Sequence, residues 1–257
     1  MWPFKRKLKP KAETSKVFES ILCIPGNWKS WEDFILIVVQ ATNGEYIAAA
    51  NILLHPKSSR HFKIEFCTYD EKMKRAFEYA GRVNSVSDSF LTEIENHKHV
   101  IYLTGTGGSI DDAEHIARAG YAILKAGGLG VKVETAGKAF QSQQWMDLIE
   151  NCDEANLYKM FVLNSIVNQA GETYSCGMHN LGLKDTIIGG EDFQESVYLI
   201  NLFSIYQLVD KPLIQEGQTF SCEIDAPKFS ITIHPDQPYS GDALFYNSFG
   251  MWRLSRI

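Results

Sequence analysis

Residues 100–135 read VIYLTGTGGSIDDAEHIARAGYAILKAGGLGVKVET, and this stretch decides the fold class. His97 to Leu103 leads in with the β-branched, apolar composition of a buried strand. Ser109 then stands where a helix N-cap is needed. Asp112 at the third helical position and Asp111 beside it favour the positive end of the helix dipole. Ile110, Ala113, Ile116, Ala117, Gly120, Ile123 and Leu124 recur at helical spacing and predict one buried stripe, with Ala117 and Gly120 small enough for close packing on a sheet. Gly127 and Gly128 stop the helix, and Val131 to Glu134 resumes as a strand. The passage predicts adjacent parallel strands at 98–104 and 130–135 joined by a helix over 109–127, a right-handed βαβ crossover within 98–135. The expected class is therefore α/β, a mixed sheet covered by helices.

Upstream, Val17 to Ile24 reads as a first strand ended by Pro25-Gly26. Ser30 and Asp33 form a capping-box pattern before Trp31, Phe34, Ile35, Val38 and Val39, although the β-branched run also fits a strand. Strands follow at Tyr46 to Leu54 and Phe62 to Tyr69, then helices at Glu71 to Ala80 and Ser87 to Asn96. Downstream, Gln143 to Asn151 reads as a helix, and Phe161 to Val167 and Thr173 to Cys176 as strands. Asp192 caps a long apolar helix running to Val209, ended by Pro212. Phe229 to His234 and Leu244 to Leu254 read as closing strands. The pattern weakens between Asn151 and Asn156, so the expected organisation is a disordered basic tail over 1–16, an α/β half over 17–152 and a second over 153–257 packed on it.

At 257 residues with 45% hydrophobic and 22% charged content, the chain can bury a full core. The net charge of −6 is uneven. Residues 1–16 carry six basic residues and one acid, leaving 19 basic against 30 acidic residues beyond. An acidic body repels phosphate backbones, so the folded part is not expected to bind nucleic acid. The basic tail (Lys5, Arg6, Lys7, Lys9, Lys11) has no apolar run after it and does not read as a signal peptide. No segment has the apolar length of a membrane span. Cys23, Cys67, Cys152, Cys176 and Cys222 are odd in number and contain no CxxC pair. They read as reduced thiols in a cytoplasmic protein, with no metal and no cofactor expected.

Two segments contain the residue types of a site. Thr104, Gly105, Thr106, Gly107, Gly108 and Ser109 form a glycine loop before a helix, where backbone amides favour anions. The loop lacks the lysine and spacing of a P-loop and is not GxGxxG, and Asp111, Asp112 and Glu114 follow at once. Electrostatics favour a structural turn over a phosphate site. The second segment is Cys176 to Asp185, where Cys176, His179 and Asp185 have the chemistry of nucleophilic catalysis. The alternative is an ordered, glycine-shaped loop in which His179, Asn180 and Lys184 contact a partner. The remaining histidines show no metal-ligand spacing.

Three stretches together resemble the bacterial domain-of-unknown-function family DUF 4261: HKHVIYL at 97–103, AGYAILKAGGLGVKVETAGKAF with the following Trp145, and YSCGMHNLGLKDTII leading to EGQTF at 216–220. The resemblance covers most of residues 97–220. It implies a cytoplasmic bacterial α/β domain and transfers no catalytic residue. The expectation is a non-enzymatic protein-binding protein of accessory or protective type. The rival is an enzyme or small-ligand binder that uses the 104–109 and 176–185 loops.

Overall fold

The computed structural model describes residues 18–241 and 243–257, so the tail expected at 1–16 lies outside the described residues. The chain forms a mixed α/β structure around two sheets. Along the first half run β1 (Glu19–Gly26), α1 (Trp31–Ala41), β2 (Ile47–Ala49), β3 (Ile52–His55), β4 (Arg60–Thr68), α2 (Met73–Ala80) and α3 (Asp88–Glu95). Then follow β5 (His99–Thr106), α4 (Ile110–Lys125), β6 (Gly130–Val133), β7 (Lys138–Gln141) and α5 (Ser142–Glu150). Next come α6 (Glu154–Phe161), β8 (Leu163–Val167), β9 (Thr173–Cys176), β10 (Asp185–Ile188) and α7 (Phe193–Val209). The chain closes with β11 (Thr219–Phe220), β12 (Phe229–Ile233) and β13 (Met251–Arg256).

The first sheet has the order β2-β3-β4-β5-β1-β6-β7. This corrects the adjacent pair expected from the sequence. β5 and β6 run in the same direction, because each is antiparallel to β1, but β1 lies between them and they are not neighbours. The β5–α4–β6 crossover is thus split. The local pattern around Val100–Thr135 could not reveal which strand fills the gap. β1 suits that central place because Leu22, Cys23 and Ile24 are fully buried in succession, without polar alternation, as a strand covered on both faces requires. α1, α4, α5 and α6 cover one face, around Leu22, Leu103, Ile116 and Trp145, while α2 and α3 cover the other around Cys23, Phe77 and Val100.

α4 forms as its sequence demands. Ser109 Oγ accepts from the Asp112 amide at 3.1 Å, and the stripe from Ala113 to Leu124 is buried. A Cβ on Gly120 would come within 2.9 Å of Leu22, so the glycine permits the close approach of helix and sheet. In the weak region after Asn151, α6 begins, N-capped by Asp153. Two other expectations change. Tyr46–Leu54 is not one strand but the β2–β3 hairpin, turned at Ala50 with φ 53°. Residues 244–250 form an irregular segment, and the closing strand begins only at Met251.

The second sheet has the order β11-β12-β13-β10-β9-β8, with β10 and β13 parallel and the other pairs antiparallel. α7 packs on one face through Leu199, Ile200 and Phe203, against Ile188, Phe229, Ile231 and Leu254. On the opposite face Tyr174, Ile187 and Met251 meet Tyr239 from the segment that precedes β13.

Candidate functional site

The two segments singled out in the sequence meet. The turn over Met178–Leu181, between β9 and β10, packs on the glycine loop that joins β5 to α4. The Gly108 amide donates to the Asn180 carbonyl at 3.2 Å, and the Gly107 amide to the Phe18 carbonyl at 2.9 Å. Asn180 Oδ1 accepts from Ser20 Oγ at 2.8 Å and from Thr135 Oγ1 at 2.7 Å, while its Nδ2 donates to the Gly177 carbonyl. Strand, loop and turn from both sheets are therefore tied through one fully buried asparagine. Gly182 has φ 78°, and a Cβ there would strike the Gly108 carbonyl. A Cβ on Gly107 would strike Ser20 and the Phe18 ring. The glycines exist for this close approach.

An anion-binding loop needs free amides at the helix end. Those of Gly107 and Gly108 are already spent on protein carbonyls. Asp111 and Asp112 accept hydrogen bonds from Arg60, and Ser109 Oγ donates to Asp112 Oδ2 at 2.6 Å. The carboxylates that argued against phosphate in the sequence are thus fixed at the mouth of α4. Thr104, Gly105 and Thr106 are ladder residues of β5, paired with β1.

The chemistry around Cys176 is equally enclosed. Cys176 is buried on the Tyr174 face, where its Sγ lies 3.9 Å from the Phe245 carbonyl. Burial pushes its thiol well above the ordinary cysteine value, and the Asp185 charge adds to this. A nucleophilic thiol needs the reverse shift. His179 is fully buried, its ring edge-to-face with Phe18 at 4.7 Å between centroids. Neither ring nitrogen has a hydrogen-bond partner among the described residues. The nearest acid, Asp185 Oδ2, stands 3.8 Å from Nδ1, beyond hydrogen-bond reach. Asp185 is occupied elsewhere: Oδ1 accepts from Ser175 Oγ at 3.1 Å and the Met178 amide at 3.2 Å, and Oδ2 from Asn247 Nδ2 at 2.7 Å. It holds the turn, β9 and the segment before β13 together.

The partner-contact reading of His179, Asn180 and Lys184 therefore divides. His179 and Asn180 are fully buried and present no surface. Lys184 is half-buried and lines a shallow cleft of about 220 Å³ with Gln207, Leu213, Ile214, Phe249 and Trp252, its ammonium 5.2 Å from the Trp252 ring. His97, at the end of α3, is structural. It donates from Nδ1 to the Ile94 carbonyl and accepts at Nε2 from the Asp70 amide. Among the described residues no group of three His, Cys, Asp or Glu side chains converges as a metal site would require.

Ile214 also borders a second, larger groove that sequence reasoning did not identify. It holds about 400 Å³ and is lined by Leu202, Tyr206, Ile214, Phe220, Cys222 and Ile231 with three polar neighbours. α7 supplies one wall. Its sequence, FQESVYLINLFSIYQLV, is apolar on every side, a composition suited to full burial. Yet Tyr198, Tyr206 and Val209 are exposed and Leu202 is half-buried, a stripe one turn apart along the outer face. The absence of a polar face on α7 was the available signal. No family model, curated protein or solved structure matches the chain. No helix among the described residues is long and apolar enough to cross a membrane.

Proposed function

We propose that this protein acts by binding another macromolecule, and that the groove beside α7 is the docking site. The outer stripe of α7 carries the proposal: a helix without a polar face, left uncovered on a folded body, is apolar surface in want of a partner. Leu213, 83% exposed, and Ile224, 95% exposed, lie on the two loops that also supply lining residues of the groove. The enclosed state of Cys176 and His179 supports binding over catalysis, since neither is accessible to a substrate in this fold. Kinship with DUF 4261 and a cytoplasmic, accessory or protective role belong to the same proposal.

The experiment is quantitative capture from native lysate by three forms of the chain. Tyr206→Glu with Leu202→Glu places two charges in the groove and is expected to abolish capture while cooperative melting is retained. Cys176→Ala is expected to capture as the parent does. Equal capture by the groove variant, or loss with Cys176→Ala alone, would overturn the assignment.

A further inference from the structure

We infer that the occupant of the α7 groove is a cationic amphipathic helix: apolar residues on one face to fill the groove, lysine or arginine along its flanks. The inference rests on the docking assignment above and adds the chemistry of the partner.

The segments that supply the groove's lining residues carry four acids. Asp210 follows the last turn of α7, Glu216 lies between the lining residues Ile214 and Gln218, and Glu223 and Asp225 follow the lining residue Cys222. All four are exposed. None makes an ion pair among the described residues, although acids elsewhere on this surface commonly do. Glu172 meets Arg253, Glu191 meets Arg256, Glu114 meets Arg118 and Glu95 meets Lys74. Two lysines share the stretch; Lys211 reaches Glu154 at 3.8 Å and Lys228 makes no ion pair among the described residues, so these segments stay net negative. Carboxylates thus stand on both loops that line an apolar trough, an arrangement that attracts cations flanking an apolar anchor and repels acidic chains. A helix fits better than an added strand. β11, the sheet edge beside the groove, has only two residues and offers little ladder to extend. Ile214 also lines the neighbouring cleft at Lys184, Phe249 and Trp252, so two depressions adjoin at that residue.

The test uses two labelled helical peptides of equal length, one patterned from Leu and Lys and its counterpart from Leu and Glu, with binding read by fluorescence anisotropy on the full chain. The Leu/Lys peptide is expected to bind saturably and to weaken with salt, and the Leu/Glu peptide not to bind. Asp210→Asn, Glu216→Gln, Glu223→Gln and Asp225→Asn together are expected to weaken the Leu/Lys peptide by about tenfold or more at low salt. The matched control Glu71→Gln, Glu78→Gln, Glu93→Gln and Glu150→Gln has the same net charge and is expected to bind as the parent does. Equal weakening by both sets would mean attraction to overall charge and would overturn the inference. So would dimerisation in sedimentation that the Tyr206→Glu and Leu202→Glu changes abolish, because a second copy would then fill the groove. If the Leu/Lys peptide fails to bind while those two changes still abolish lysate capture, the cationic partner falls and the docking site stands. If both fail, both readings fall.

Discussion

The backbone amide of Gly108 donates to the carbonyl of Asn180 across 3.2 Å, and this bond joins the two loops that the sequence singles out as candidate sites. Face to face, they form the seam between the two sheets.

Nucleotides are accordingly expected to leave the melting temperature unchanged. At a hundred times its dissociation constant a true ligand would stabilise the fold by about 2.7 kcal/mol, a shift easily resolved. A saturable shift with ATP, GTP or NAD would show that the Gly107 and Gly108 amides can be released to a phosphate.

Within the seam, opposite responses are expected from neighbouring residues. Asn180→Ala strands the hydroxyls of Ser20 and Thr135 in a buried space, at a cost of about 3 kcal/mol. Gly182→Ala costs about as much, because its φ of 78° and the Gly108 carbonyl both exclude a side chain. His179→Leu removes two desolvated nitrogens that have no hydrogen-bond partner among the described residues, so it is expected to be neutral or stabilising by about 1 kcal/mol. Denaturant melts of the three variants provide the comparison. Strong destabilisation by His179→Leu would reveal a polar role for that ring.

Much of this fold was legible in the sequence, and the failures have definite causes. Ser109, Asp112 and the stripe from Ala113 to Leu124 specify α4 because cap and periodicity are local. Strand order is not local: nothing in Val100–Thr135 announces that β1 inserts between β5 and β6. The turn at Ala50 is silent in the sequence because an alanine at positive φ leaves no glycine signal. Cys176, His179 and Asp185 stand out by residue type, but what a residue can do here depends on burial, and burial depends on the opposite loop. The groove is invisible along the chain because its walls come from α7, β11 and β12, which meet only in three dimensions.

Cysteine reactivity should follow exposure. In native alkylation at pH 8 with peptide mapping, Cys222, half-exposed at the groove, is expected to react first. Cys67 and Cys152 follow more slowly, since burial raises both thiols, and Cys23 and Cys176 react only after unfolding. Cys176 labelling as fast as Cys222 would revive a nucleophilic role.

Lys138 gives the stability a pH signature. Its ammonium, on β7, donates to the carbonyls of Lys159 and Val162 at the end of α6 and makes no ion pair among the described residues. Burial lowers it from 10.5 to about 8. Between those values the unfolded chain binds more protons than the folded one, so this residue's contribution to stability rises with pH there and its cost is full below about pH 8. Relative to Lys138→Met, the parent should gain about 2 kcal/mol between pH 7.5 and 9.5. A constant difference across that range would mean that Lys138 stays charged at its ordinary value.

Amide hydrogen exchange, comparing the chain alone with the chain saturated by its captured partner, tests the docking site most directly. Slowed exchange confined to residues 198–222 is the predicted result, with 104–109 and 177–185 already protected in the free chain and unchanged on binding. New protection at 104–109 and 177–185, with 198–222 unaltered, would contradict it and return function to the seam.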